Sequence, residues 1–347
     1  MRAGLLLTVC MFALVACSSN DDVLNETQNS FILRSESIDV SSMHLAFPSI
    51  VGNRDRSKII VTYREGKDHV SYDGKIIQME SRDKGKTWIN RKVIYRPAVG
   101  SDARDPQLLL LPDNNVLCRF FEREASSKLT VKSITSYDCG ESYQNPVLFP
   151  FPDKEETFAA ARGNMVVINK VIYAVCYNRL TAWLMKSEDE GKNWQFVSFI
   201  DKKLGTSNSL FGRINETSLG YVNGKLYLVG RSQTDQGKLQ IAVSEDLGIT
   251  WKWDWLPMTG HAPSLTPHKG SFILTYRQVD KTSGTYSFVI ALLRDGKLVS
   301  KPVALFEGDS FDLGYGDVLT LSNSFLVCCY QPKFTIHYFE IKYDIFK

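Results

Sequence analysis

The sequence predicts an all-β chain made of six four-stranded antiparallel units, on three observations. An octet recurs four times, as SRDKGKTW from Ser81, SYDCGESY from Ser136, SEDEGKNW from Ser187 and SEDLGITW from Ser244, at spacings of 55, 51 and 57 residues. A near-constant period of that size marks a repeat architecture, in which each unit buries its apolar face against its neighbours. Between the octets a second pattern, a short apolar strand, a turn and another apolar strand, occurs six times. No long amphipathic helix is visible and turn residues punctuate the chain densely. Six strand pairs, four of them followed by an octet, make a six-bladed β-propeller.

Each octet carries its own folding chemistry. The Asp at its third position can accept bonds from backbone N–H groups of its own turn, and the Gly two residues later can take positive φ. The terminal Trp or Tyr caps the turn with apolar area. Strand-like runs flank the octets, KIIQMES and WINRKVIY around the first and LQIAVSE and WKWDWLP around the last, so each octet is a hairpin turn. The last two blades lack the octet, and LLRDGKL at Leu292 to Leu298 offers a plain hairpin to one of them.

The strand pairs sort residues by rim. If the innermost strand of each blade lines the channel, its start and the end of the next strand share one mouth, and the octets lie on the other. The starts bring His44, Phe47, Arg104, Asp105, Arg162, Asn215, Glu216, His261, Tyr315 and Asp317 to that mouth. The ends bring Arg64, Glu65, Glu122, Arg179, Arg231, Arg277 and Gln331, and the loop after the first pair adds Asp68, His69 and Asp73. Guanidinium groups converging on a low-dielectric funnel suit a carboxylate, sulfate or phosphate on a ligand.

Composition narrows the partners. A net charge of +3 without a long basic run argues against nucleic acid. Arg2 and the apolar run Leu5 to Val15 form a targeting segment too short to span a membrane. It ends in Leu14-Val15-Ala16-Cys17, which resembles the lipobox of bacterial lipoproteins. That resemblance implies a signal peptide over 1–16, a lipid on Cys17, and anchorage at the outer membrane of a Gram-negative bacterium, periplasmic or surface-exposed. Residues 17–40 read as lipidated Cys and polar tether, and 41–347 as the propeller. Of the remaining cysteines, Cys118, Cys139, Cys176, Cys328 and Cys329, none stands in C-x-x-C spacing, so no metal site is predicted.

The octet resembles the Asp box, S-x-D-x-G-x-T-W, of sialidases and related six-bladed propellers. The copies at Ser81 and Ser244 match at every fixed position; Asn193, Ser142 and Tyr143 depart from it in the other two. In that family the box is a folding element remote from the active site. The resemblance implies further roles. NETSLGYVNGKLYLVGR places Glu216 and Arg231 in the family pattern, Arg277 follows as a second anion-binding arginine, and Tyr315 in LGYGDV looks like the nucleophile that Glu216 activates. Asp105-Pro106 looks matched as well. The family's first arginine stands two residues before a Pro, where this chain has Ala46 in HLAFPSI. Arg64, Arg231 and Arg277 are then expected to hold the anion, with Asp73, Arg104, Asp105, Arg162 and Asp317 also at the substrate. Asp68, His69 and Asp73 compete for the acid/base role.

The expectation is a monomeric exo-acting glycoside hydrolase that removes a terminal sialic, other ulosonic or uronic acid from a glycan, without a cofactor. The alternatives are a glycan-binding surface lipoprotein without catalysis, and a polysaccharide lyase using His69 or Tyr315 as base.

Overall fold

The computed structural model describes residues 30–152, 158–201, 213–235, 237–280, 282–332 and 334–346. The signal segment, Cys17 and the first part of the expected tether lie outside them. Among the described residues the strands pair antiparallel into six groups of at least four. The inner strands are His44–Gly52, Ser101–Leu110, Val166–Ile168, Ile214–Val222, the second half of Lys252–His268, and Gly314–Thr320. Lys252–His268 serves two blades: its first half pairs with Lys238–Ser244 and its second with Ser271–Val279. The expected plain hairpin forms between Tyr286–Arg294 and Lys297–Leu298, and Val303–Gly308 then supplies the outer strand of the fifth blade.

The sixth blade corrects the sequence reading. Its outer strand is Ile32–Val40, which pairs with Thr335–Lys342 near the other end of the chain. Part of the expected tether is thus a strand, and the propeller begins before residue 41. Joining the two ends of the chain in one sheet covers the edge that a simple six-fold repeat would leave open.

The octets fold as expected and add contacts between blades. In the first, Ser81 Oγ donates to Asp83 Oδ1 (2.8 Å), Asp83 Oδ1 accepts from the Lys86 and Thr87 N–H groups, and Thr87 Oγ1 donates to Oδ2 (2.6 Å). These bonds hold the Asp83 carboxyl at about 2, the Thr87 hydroxyl contributing most. Asp138, Asp189 and Asp246 repeat the arrangement. Tyr143 Oη donates to Gln78 of the first blade and Trp194 Nε1 to Ser133 of the second, so each aromatic wedges against the preceding blade.

A ring of polar side chains, one from each inner strand, or just before it in the third blade, crosses the channel. Asp317 accepts from Ser49 (2.8 Å), Gln107 (2.9 Å) and Ser264 (3.2 Å); Gln107 and Ser264 both donate to Asn164 Oδ1. Ser218 completes the ring by accepting from the Asn164 and Leu265 N–H groups, as Ser49 does from Leu108 and Asp317 from Ile50. Each inner strand has a neighbour on one side only, so these edge N–H groups need such partners. Beyond the ring, toward the octet rim, lies a cavity of about 360 Å³ walled by residues such as Leu108, Val166, Leu219 and Leu265. The side chains of the candidate site described below lie on the opposite side.

Gly191 has φ +86, and a Cβ there would stand 2.4 Å from Leu117 Cδ1 of the preceding blade, whereas at Gly100 (φ +84) it would meet nothing within 4 Å. Gly100→Ala should cost about 1 kcal/mol of backbone strain. Gly191→Ala should cost about 1–3 kcal/mol more, because Leu117 must move. Urea unfolding of the two variants checks the difference.

Candidate active site

The inner strands share an irregularity that aims residues at the channel mouth. Phe47, Asp105, Glu216, Ala262 and Tyr315, each two residues before its ring residue, have φ between 47° and 61°; in the third blade the left-handed residue is Gly163 at 77°, directly before Asn164. At all five non-glycine positions the register with the neighbouring strand shifts, two residues of the inner strand standing against one. A bulge of this kind redirects a side chain. Left-handed backbone at a non-glycine residue costs roughly 1–2 kcal/mol. Asp105, Glu216 and Tyr315 are therefore held at the mouth by strained backbone anchored from below by the polar ring.

Tyr315 Oη donates to Glu216 Oε1 at 2.5 Å, and the Ala262 N–H donates to Glu216 Oε2 at 3.0 Å. Arg231 Nη1 is 3.5 Å from Glu216 Oε1, and Arg277 Nη2 is 3.5 Å from Tyr315 Oη. Arg277 is itself braced by His261 Nδ1 (2.5 Å) and by the Phe311 carbonyl. Burial alone would raise the Glu216 carboxyl, but the charge of Arg231, the Tyr315 hydroxyl and the charge of Arg277 outweigh it and hold the group at about 2. Burial and the Glu216 charge push the Tyr315 phenol above its ordinary value, against the pull of Arg277 and Arg162. The pair is thus a neutral phenol on an ionised carboxylate.

Arg162 joins this group. Its guanidinium carbon lies 4.4 Å from the Tyr315 ring centroid, with Arg277 at 4.7 Å, and its Nη1 is 3.7 Å from Asp105 Oδ1. Burial raises the Asp105 carboxyl in spite of Arg162 and Arg104. Asp105 Oδ1, Asn215 Oδ1 and the Nε atoms of Arg162, Arg231 and Arg277 are buried with no hydrogen-bond partner among the described residues. These five unsatisfied polar atoms cluster at one mouth.

Other expected site residues are engaged elsewhere. Arg64 is fully buried and forks onto Asp102 (2.7 and 3.1 Å), with further bonds to the Asp68 carbonyl and Ser71 Oγ, so it ties the first blade to the second and holds no substrate anion. Asp73 Oδ1 accepts from the Lys67 N–H and Ser71 Oγ, closing its own loop. Asp68 is exposed and contributes its carbonyl to Arg64. Asp317 belongs to the polar ring below the mouth. Arg104 donates to the His69 carbonyl (2.6 Å) and Asp102 (2.9 Å) and lies over the Phe47 ring, so it fixes the wall. Arg179 is exposed over Phe158, apart from the other arginines.

His69 does reach the mouth. Its ring packs on Phe47, which packs in turn on Tyr315, at centroid distances of 5.6 and 5.4 Å. Its Nδ1 is 2.9 Å from Asp312 Oδ1, and Asp312 is the residue that the sequence reading missed. The signal available was its place three residues before Tyr315, in the same loop.

Neither a protein-family model nor a curated protein sequence matches this chain. Solved structures do match in fold. A protein of unknown function from Dyadobacter fermentans superposes with a TM-score of 0.78 at 21% identity, over 90% of this chain and 98% of that one. The Hadza microbial sialidase Hz136 matches with a TM-score of 0.69 at 17% identity, over 88% and 66% of the two chains. The NanB sialidase of Streptococcus pneumoniae matches with 0.68 at 12%, over 90% and 71%. The chain has the fold of these sialidase propellers.

Arg64→Ala should cost about 3–5 kcal/mol in a urea melt, because it empties a fully buried site and leaves the buried Asp102 carboxylate with a single bond from Arg104. Arg231→Ala, at a partly exposed guanidinium, should cost much less stability and act on ligand binding instead.

Proposed function

We propose that this protein is a sialidase-like exo-glycoside hydrolase that removes a terminal acidic sugar from a glycan. The observation that carries the reading is the 2.5 Å bond from the Tyr315 phenol to the ionised Glu216, beside Arg231 and Arg277. The sugar's carboxylate would lie against Arg231, Arg277 and Arg162. Its arrival also solves a problem of basicity. A carboxyl at about 2 is a weak base, but the cationic field holds it there, and a bound anion would neutralise that field and raise Glu216 as the phenol attacks. A neutral nucleophile further avoids the repulsion that a carboxylate nucleophile would meet beside the substrate's own anion. Asp105, with an unpartnered buried oxygen, would accept a substrate hydroxyl.

The likeness of the fold to sialidases supports the same class of reaction. So does the cationic lining of the mouth, with Ala46 in place of the family's first arginine, which favours an ulosonic or uronic sugar other than ordinary sialic acid. Lipidation of Cys17 and display at the outer membrane would bring the enzyme to glycans outside the cytoplasm; this rests on the lipobox alone.

Turnover of the full chain on a library of acidic glycans tests the reading. On a substrate so found, Tyr315→Phe and Glu216→Gln should each lower kcat by roughly 10²–10⁴ while the melting temperature stays near wild type. Activity equal to wild type in both variants sinks the nucleophile assignment. A product absorbing in the near ultraviolet would mean a lyase. Binding without turnover would mean a glycan-binding protein.

A further inference from the structure

The first blade supplies a group that the nucleophile pair lacks. Asp312 stands between two histidines: His44 Nε2 lies 2.8 Å from Oδ2 and His69 Nδ1 lies 2.9 Å from Oδ1. Such a trio could in principle hold a divalent cation. The surroundings of His44 argue otherwise. Its Nδ1 faces Arg64 Nη1 at 3.4 Å, and a guanidinium only donates, so Nδ1 accepts and Nε2 carries the proton that it gives to Asp312. A protonated Nε2 cannot ligate a metal. Arg64 is locked in its orientation by Asp102, which makes this arrangement a built one.

His69 is then left with one ring nitrogen directed by a carboxylate and the other available. Its Nδ1–H donates to Asp312, and among the described residues nothing bonds its Nε2. Burial would raise the Asp312 carboxyl, but the hydrogen bonds from His44 and His69 hold it well below the usual carboxylate range, so it stays an acceptor for both rings. The ring plane is fixed by edge contacts with Phe47 (5.6 Å) and Phe311 (5.6 Å), and the loop backbone is pinned by Arg104 on the His69 carbonyl. The His69 side chain is 31% accessible, so a leaving group can reach it.

We infer that His69 is the general acid/base of the hydrolysis, that Asp312 is its positioning residue, and that His44 and Arg64 hold Asp312 in place. This rests on the hydrolase reading above. In the first step the anomeric carbon bonds to Tyr315 Oη as its bond to the glycosidic oxygen breaks. The phenolic proton goes to Glu216, and imidazolium His69 gives its Nε2 proton to the departing oxygen. In the second, neutral His69 takes a proton from water, the water oxygen bonds to the anomeric carbon, and Tyr315 leaves as it recovers its proton from Glu216. Charge and protons are restored after one turnover.

The test uses the full chain and paired probes: methyl and methylumbelliferyl glycosides of N-acetylneuraminic acid, other ulosonic acids, glucuronic acid and galacturonic acid. An alcohol leaving group needs a proton and an acidic phenol needs little help. His69→Gln should therefore lower kcat/KM on the hydrolysed methyl glycoside by roughly 10²–10⁴ and on its aryl partner by less than about tenfold. Asp312→Asn should give the same split at smaller size, which a merely structural role would not produce. Equal losses on both probes, or no loss, overturn the assignment, as does the same split in Asp105→Asn with His69→Gln unaffected. Loss of wild-type activity to a chelator with recovery on zinc would make the trio a metal site and also overturn it. Tyr315→Phe separates the two readings: it should lower kcat on both probes by roughly 10²–10⁴, and if it does not, the hydrolase reading itself fails. Should Asp312→Asn not fold, His69→Gln at the accessible ring decides alone.

Discussion

The constraint on which the rest depends is the exposed inner edge. A propeller brings six strand edges to one narrow channel, and each presents backbone N–H and C=O groups without a ladder partner. In this chain the polar ring of Ser49, Gln107, Asn164, Ser218, Ser264 and Asp317 meets that need. The ring bonds strands distant in sequence, and it fixes the height at which each inner strand sits. It also separates two chemically different hollows, an apolar one toward the octets and a polar one at the opposite mouth.

The bulges follow from the ring. Just upstream of each ring residue in five blades stands a non-glycine residue in the left-handed region, and in the remaining blade a glycine. Strain of that kind persists only where the surroundings over-determine it. The ring supplies that determination from below, and Arg64–Asp102, Arg277–His261 and Ala262 N–H–Glu216 supply it at the mouth. The gain is a set of donors and acceptors whose positions are fixed before a ligand arrives, the condition under which electrostatic stabilisation is most effective.

How much of this was legible in the sequence varied with the range of the interaction. The octets were readable because Ser81, Asp83, Gly85 and Thr87 satisfy one another within a single turn, so spacing carries the whole signal. Glu216, Arg231, Arg277 and Tyr315 were readable from strand-end register together with a family resemblance. Arg64 looked the same as Arg231 by that criterion, and what distinguishes it is Asp102 on the next blade, which no local pattern announces. The strand Ile32–Val40 read as tether because an outer strand with one solvated face, ILRSESIDV, has the composition of a polar linker; its partner lies some three hundred residues away. Asp312 sat in a loop without periodicity, and its meaning depends on two histidines from the first blade.

The two walls of the mouth differ in kind, and that difference bears on what the site can accept. The third, fourth and fifth blades contribute Arg162, Arg231 and Arg277, a cationic wall around Glu216 and Tyr315, with His261 behind Arg277. The first blade and the loop entering the sixth contribute Phe47, His69, Phe311 and Asp312, an aromatic and imidazole wall. Ala46 is buried where sialidases carry an arginine, and the nearest guanidinium of the first blade, Arg64, is turned inward to Asp102 and His44. A ligand with an anion at one end and a neutral, hydrogen-bonding group at the other would find matching surroundings at both. For the reaction proposed above, the polarity of the mouth, and not its arginine content alone, would set the direction in which a sugar enters: carboxylate toward Arg231 and Arg277, glycosidic oxygen toward His69.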